Sequence, residues 1–117
     1  MKVTVFLCGD VMTGRGVEQI LARASDPRLH EPLVEDARTY VSLAEAVSGA
    51  IPRSVPPAYI WGDALEELER GQPDVRVVNL ETSVTRSGDY WEGKEVHYRM
   101  HPENVACLTA ARIDIAV

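Results

Sequence analysis

The sequence offers little scope for disulfide bonds. Only two cysteines occur among 117 residues. Cys8 lies in an apolar strand pattern and Cys107 in a helical pattern. Their positions lack the CxxC spacing of metal-binding and redox motifs. We therefore expect two buried, reduced thiols and no disulfide.

A basic surface and a long apolar run are also missing. The formal net charge is -6, which argues against nucleic-acid binding, because such proteins usually display a basic face. No apolar run approaches the roughly 20 residues of a membrane-spanning helix. Met1-Lys2 leads straight into a strand pattern without a signal-peptide cleavage site. We expect the sequence as given to be cytoplasmic with no membrane segment, while membrane association of a longer parent protein stays open.

The composition, with 45% hydrophobic and 26% charged residues, is that of one ordinary globular domain. Residue periodicity predicts alternating strands and helices. Strands are expected over residues 1–9, 74–79 and 112–117, with a short extended segment over 96–100. Helices are expected over 17–24, 34–47 and 64–71, the last capped by Asp63, and again from Pro102 onward. The strand–helix–strand spacing implies an α/β fold with crossover connections and parallel strands.

The first strand pattern ends in a glycine-punctuated turn that carries Asp10 and Arg15. Gly9 and Gly14 have the spacing of a phosphate-binding loop, but Arg15 replaces its lysine and Gly16 replaces its hydroxyl residue. Nucleotide binding by this loop is therefore supported by glycine spacing alone. Two other interpretations of Asp10 stay open. It caps the following turn or helix, or it binds a metal in the crevice at the carboxyl end of a parallel strand.

The second strand pattern ends similarly, at Asn79-Leu80-Glu81. Because the crossover makes the two strands neighbours or near neighbours, Asp10 and Glu81 are expected to converge at one sheet edge. Two carboxylates placed there repel each other unless they share a cation or a proton. Oxygen ligands favour divalent metals such as Mg, Mn, Ca or Zn. Asn79 can offer its carbonyl to a metal, bond the Glu81 loop, or simply end the strand.

The histidines and tryptophans are weaker candidates. His97 and His101 are four residues apart, but Pro102 indicates an extended segment, so a surface or capping role is favoured over a metal pair. His30 is assigned no role. Trp61 and Trp91 are expected to pack in loops, and Trp91 can also line a substrate cleft.

Three motifs, in this order, resemble the bacterial capsule synthesis protein CapA family. They are Gly9-Asp10-Val11-Met12 with Gly14-Arg15-Gly16, then Tyr59-Ile60-Trp61-Gly62-Asp63, then Asn79-Leu80-Glu81-Thr82. The segment from Pro102 to Val117 also looks like that family's approach to its next motif. The resemblance covers essentially the whole chain, and the ordered set is more specific than any single tetrapeptide.

This resemblance implies a role in poly-γ-glutamate biosynthesis and a fold similar to the calcineurin-like metallophosphoesterases. Such a fold is an α-β-β-α sandwich with a pair of divalent metals at the strand ends. By position, Asp10 and Glu81 match metal ligands. Met12 stands where ordinary metallophosphoesterases carry histidine, which puts simple phosphomonoesterase activity in doubt. The family's next motif, Asn-Asn-His, would follow the strand that ends at Val117.

Two hypotheses of function follow. In the first, the parent protein is a metal-dependent enzyme or enzyme subunit, similar to a metallophosphoesterase-like hydrolase. It acts on an anionic polymer or a phosphate-containing substrate, with Arg15 binding a carboxylate or phosphate. Asn79 either binds the metal itself or supports the metal ligands. In the second, it is a non-catalytic component of a polymer-synthesis complex. Residues 1–117 are interpreted as the N-terminal part of one domain, expected to be inactive alone and to expose apolar surface.

Overall fold

The computed structural model describes all 117 residues and is mixed α/β, as predicted. The helices and strands, in chain order, are β1 (Val5–Val11), α1 (Arg15–Gln19), α2 (Arg38–Ser48), α3 (Ala64–Gly71), β2 (Val75–Leu80), β3 (Ser83–Val84), β4 (Arg99–Met100), α4 (Ala106–Ala110) and β5 (Ile115–Ala116). Short 3-10 helices cover Pro57–Trp61 and Pro102–Val105. None of the helices combines the length and the apolar character needed to cross a membrane.

The main sheet has three strands in the order β1-β2-β5, and both neighbouring pairs run parallel. The prediction of parallel strands joined by crossover connections is therefore confirmed. A second, two-stranded parallel sheet is formed by β3 and β4. It lies just beyond the carboxyl end of β2 in the chain, and its β4 strand contacts α1.

The two faces of the main sheet differ in how far other parts of the chain bury them. One face carries Arg76 and Val78, both buried, and Arg76 bonds backbone carbonyls of α3 and of the end of α4. On the opposite face, Leu7 aligns with Val77 and Val77 with Ile115. Leu7 is 72% exposed and Ile115 49% exposed. The expectation of exposed apolar surface is thus confirmed for this face.

The hydrophobic core lies beside the sheet, where α1, α2 and the loop before the first 3-10 helix meet. A cluster of buried side chains forms it: Ile20, Leu21, Val41, Val55 and Cys107. Burial raises the pKa of the Cys107 thiol. Both cysteines are free, as predicted, but Cys8 is only partly buried, so the prediction of a buried thiol is right for Cys107 and wrong for Cys8.

Several predicted boundaries need correction. The helix expected over 17–24 ends at Gln19, because Leu21 leaves it to form a parallel bridge with Val55. Asp63 precedes α3 but is itself in the helical region and accepts no capping bond, so its predicted role as a side-chain cap is wrong. Gly49 does end α2, with a φ of 85°. Trp61 packs as expected, donating from Nε1 to the Cys107 carbonyl at 2.8 Å.

Candidate functional site

The carboxyl ends of the three parallel strands meet at one edge of the main sheet. The Leu80 amide donates to the Val117 carbonyl at 2.8 Å, and the Glu81 amide donates to the Val11 carbonyl at 3.1 Å. These bonds hold the residues that follow β1 and β2 side by side. The edge is where ligands bind in open parallel sheets.

Asp10 lies in a bulge of β1 at this edge. Cys8 pairs with Val78 and Val11 pairs with Leu80, so two residues of β1 stand opposite the single Asn79 of β2. Asp10 has a φ of 52°, in the left-handed region that aspartate tolerates better than most residues. A bulge redirects the side chain that it carries. Asp10 is thereby placed beside Asn79.

Asn79 donates from Nδ2 to Oδ1 of Asp10 at 3.0 Å. The structure therefore brings together two of the residues singled out from the sequence. This bond leaves the second carboxylate oxygen of Asp10 and the amide oxygen of Asn79 without a protein partner. An interaction of this kind fixes the orientation of a carboxylate and is typical of residues that support a metal ligand.

Glu81 begins the loop after β2, and its exposed carboxylate makes no hydrogen bond or ion pair. Its backbone is tied to Val11, the residue after Asp10. The edge thus offers two carboxylates and one amide, all oxygen donors. No group of three or more His, Cys, Asp or Glu side chains is close enough to hold a metal ion. This donor set fits part of a site for a hard cation such as Mg²⁺, Mn²⁺ or Ca²⁺ and suits zinc least.

Arg15 occupies a different place, although it follows the same loop. Its Nε lies 2.7 Å from Oε1 of Glu31, and its guanidinium covers the rings of Tyr98 and Tyr40 at 4.5 and 5.2 Å. The other oxygen of Glu31 accepts a bond from the Tyr40 hydroxyl at 3.0 Å. Burial and, next, this bond to Glu31 raise the pKa of Tyr40. Arg15 hydrogen bonds only through Nε, so its terminal nitrogens stay free for a ligand.

The loop from Gly9 to Gly16, called the opening loop below, does not form an open phosphate-binding site. The Thr13 amide donates to the Thr82 hydroxyl at 3.1 Å, and the Thr13 hydroxyl contacts the sulfur of Met100 at 2.9 Å. A Cβ on Gly14 would lie 2.6 Å from the carbonyl oxygen of Arg99. The loop is therefore packed against its neighbours, and these contacts do not favour the nucleotide-binding interpretation.

A buried carboxylate, Glu18, was missed in the sequence. It is 2% exposed, and its Oε1 accepts bonds from the Ser25 hydroxyl, the His101 backbone amide and the Asn104 side chain. All three donors are neutral. Glu18 flanks the apolar stripe of the predicted first helix, three residues before Leu21, and that position was the only signal of its burial.

The histidines divide between two roles. His101 caps the second 3-10 helix, because its Nδ1 accepts from the Glu103 amide at 3.2 Å. This agrees with the favoured capping role. His97 and His30, in contrast, line a cavity together with Tyr90, and His30 stacks on Tyr90 with centroids 3.5 Å apart. Nothing in the sequence pattern indicated that these rings meet.

Comparison with known proteins adds a family and two relatives. The family model described as bacterial capsule synthesis protein PGA_cap matches residues 4–117. Two proteins of Mycobacterium tuberculosis, from strains CDC 1551 / Oshkosh and ATCC 25618 / H37Rv, are each named "probable polyglutamine synthesis accessory protein". Each is 52% identical to this chain over 110 residues, which is 94% of this chain and 29% of the relative. No solved structure matches the chain.

Proposed function

The chain belongs to the bacterial capsule synthesis protein family PGA_cap, and on that basis we propose that it is part of a metal-dependent enzyme, or enzyme subunit, in the synthesis of a glutamate- or glutamine-based polymer. It spans 29% of the length of its two relatives. The proposal therefore concerns the protein to which residues 1–117 contribute one edge of a site. We propose further that this protein acts on an anionic polymer or a phosphate-containing compound.

The observation that carries the proposal is the contact between Asn79 and Asp10 across the ends of β2 and β1, at 3.0 Å. An aspartate with no role beyond solubility would not require a bulge, a left-handed backbone and an amide partner, and Asp10 has all three. Together these fix where its free oxygen points. Asp10 and Glu81 would hold the cation, and Asn79 would orient Asp10.

When bound, such a cation supplies Lewis-acid polarisation of a carbonyl or phosphoryl oxygen. The residues of this chain contribute orientation and charge. Asp10 and Glu81 supply negative charge at the strand ends, and their exposure leaves room for a substrate and for ligands from outside these residues. Arg15 supplies free guanidinium nitrogens that match a carboxylate or phosphate.

A second candidate function is a non-catalytic component of a polymer-synthesis complex. One observation favours it: the two relatives are named accessory proteins. In this case the sheet edge would no longer bind a metal, and Asp10 would only stabilise the bulge of β1.

Calorimetric titration of the full-length protein with Mn²⁺ tests the proposal. The key variant carries Asp10→Asn and Glu81→Gln, which keep side-chain size and remove both charges. The control carries Asp63→Asn and Glu66→Gln, two exposed positions of the same chemistry at the start of α3. We expect the key variant to lose at least about tenfold in affinity, equivalent to ~1.4 kcal/mol, and the control to bind like the unmodified protein. Equal binding by all three proteins would reject the site, and absence of binding by all three would favour the assembly component.

A further inference from the structure

A cavity of about 190 Å³ lies away from the sheet edge that carries Asp10 and Glu81. Its walls come from the segment after α1, around residues 26–30, and from the segment between β3 and β4, around residues 85–99. Neither Asp10 nor Glu81 lines it. A volume below the roughly 300 Å³ of drug-sized sites suits one amino-acid-sized group. We call it the aromatic cavity, after the rings of His30, Tyr90 and His97.

These three rings are held in a fixed arrangement. His30 stacks on Tyr90 at an interplanar angle of 9°. His97 meets both rings edge-on, with centroids 6.1 Å from His30 and 5.5 Å from Tyr90. Edge-on and stacked contacts of this kind orient rings through their quadrupoles. The orientation of His97 is therefore set by its neighbours before any ligand arrives.

His97 presents an unused hydrogen-bond acceptor. Its Nε2 lies 2.9 Å from the carbonyl oxygen of Trp91, which can only accept, so Nε2 carries the proton. In the neutral ring Nδ1 is then an acceptor. This Nδ1 is the one buried side-chain nitrogen or oxygen in the chain that has no partner. Buried polar atoms are nearly always paired, so an unpaired one calls for a donor from outside the chain.

Cationic side chains surround the same cavity. Arg15, Arg28, Lys94 and Arg99 line it. Arg99 is bonded to two backbone carbonyls, and Arg15 keeps its terminal nitrogens free. The side chains of Arg28 and Lys94 take part in no ion pair or hydrogen bond.

The carboxylates of Glu18, Asp26 and Asp89 also line the cavity. Glu18 is already satisfied by three neutral donors, and an oxygen of Asp26 accepts from the Arg28 amide at 2.9 Å. The cations therefore outnumber the carboxylates by four to three. Arg15 is paired with Glu31, whereas Arg28, Lys94 and Arg99 form no ion pair.

We infer that the aromatic cavity binds an N-acylated amino acid with a side-chain or main-chain carboxylate. The amide N–H of such a ligand donates to Nδ1 of His97. Its carboxylate is bound by Arg28 and Lys94, and Arg15 also lines the cavity. The choice of ligand class rests on the proposed function, because a polymer of glutamate repeats an amide N–H and a carboxylate in every unit. The cavity itself rests on the geometry alone.

Three small probes separate the two halves of this recognition. N-acetylglutamate carries the amide donor and the carboxylates, glutarate carries the carboxylates without the donor, and the diamide of N-acetylglutamate carries the donor without the charge. We expect N-acetylglutamate to bind at least about tenfold more tightly than either of the others, as loss of one charge-assisted or buried hydrogen bond implies. Titrations followed by NMR, with a chelator present to exclude metals, give the affinities. The ¹⁵N signal of His97 Nδ1 reports the new bond directly.

Two variants assign the contacts. His97→Phe keeps the ring packing and should lower the affinity for N-acetylglutamate to that of glutarate, leaving glutarate unchanged. Arg28→Gln with Lys94→Gln, both exposed positions that should not affect folding, should weaken both carboxylate probes by about tenfold or more. Arg70→Gln, an exposed arginine of α3 outside the cavity, is the control and should bind as the unmodified protein does.

The source of the ligand is decided by a γ-linked glutamyl trimer with blocked ends. Tighter binding of the trimer than of N-acetylglutamate supports a polymer segment as the ligand, and weaker binding supports a single acylated unit. The inference is overturned if glutarate binds as tightly as N-acetylglutamate, or if the His97 nitrogen signal does not move at saturation. Since the chelator removes the metal, a failure here leaves the metal titration unaffected, and a failed metal titration leaves this result standing.

Discussion

Asn104 Nδ2 lies 2.9 Å from Oε1 of Glu18, across 86 positions of sequence. The same amide nitrogen also donates to the Arg23 carbonyl at 2.8 Å. These bonds join α1 to the second 3-10 helix, near the end of the chain. Because α1 follows the opening loop directly and Glu18 also lines the aromatic cavity, this link supports both candidate sites at once.

The Glu18 network should be a major contributor to stability. Glu18→Ala removes the acceptor of the Ser25 hydroxyl, of the His101 amide and of one of the two N–H groups of Asn104 Nδ2, whose other N–H keeps the Arg23 carbonyl. Each unsatisfied buried donor is costly. We expect a loss of about 3 kcal/mol in the free energy of unfolding, with partial recovery in Glu18→Gln, whose amide oxygen can still accept. Urea denaturation followed by circular dichroism measures both.

Glu35→Ala is the matched control, since Glu35 is exposed and its side chain makes no hydrogen bond. Its effect should stay within about 0.5 kcal/mol. A Glu18→Ala protein as stable as the Glu35→Ala protein would show that the network does not hold α1 in place.

Gly14 and Gly9 make a matched pair in the opening loop. A Cβ on Gly14 would meet the Arg99 carbonyl oxygen at 2.6 Å, whereas a Cβ on Gly9 meets nothing within 4 Å. Gly14→Ala should therefore push the loop from β4 and cost about 1–3 kcal/mol, while Gly9→Ala should change stability by less than about 1 kcal/mol. Thermal melts of the two variants decide the point. Equal melting temperatures would mean that the loop moves aside freely.

Arg76 is the third stability determinant. It is 5% exposed, and its Nη1 donates to the Ala111 carbonyl at 2.6 Å, at the end of α4. Arg76→Ala removes this bond and leaves a cavity under the sheet, so we expect a loss of about 3 kcal/mol. Arg70→Ala, an exposed arginine of α3, should cost less than about 0.5 kcal/mol. Chemical denaturation that gave similar values for the two variants would contradict the buried role of Arg76.

The sequence predicts where the main strands lie along the chain and that they run parallel, because apolar runs and crossover spacing carry that information locally. It does not predict which face of the sheet is covered. Alternation in β2 puts Arg76 and Val78 on one face and Val75 and Val77 on the other, and hydrophobicity alone would bury the valine face. The structure buries the face with arginine, because backbone carbonyls of α3 and α4 satisfy its guanidinium.

The site was predictable only in part for a similar reason. Strand ends are visible in sequence, so Asp10, Asn79 and Glu81 could be assigned to one edge. The bulge that turns Asp10 toward Asn79 depends on pairing between β1 and β2 and has no local signature. The partner of Arg15, Glu31, lies in an irregular segment 16 residues away. Contacts between irregular segments, including the ring arrangement around His97, follow from the fold and not from periodicity.

Tyr40 should give the chain a measurable pH dependence in alkali. Its pKa is raised above the ordinary value of 10.0, first by burial and then by its bond to Glu31. A raised pKa in the folded state means that the folded chain holds the proton more tightly than the unfolded chain. The stabilisation is therefore complete below the unfolded pKa and is lost as pH rises through the folded pKa.

Tyr40→Phe removes this contribution, so its stability should fall less steeply with pH than that of the unmodified protein. Unfolding free energies measured from about pH 8 to about pH 11 give the two slopes. Tyr59→Phe, at a position 44% exposed, is the control and should keep the slope of the unmodified protein. The difference in slope between the unmodified protein and Tyr40→Phe should be absent near pH 8 and appear above the ordinary tyrosine pKa, because only there does the unfolded phenol ionise while the folded one does not. Identical slopes for all three proteins would show that Tyr40 is not held against the Glu31 carboxylate beneath Arg15.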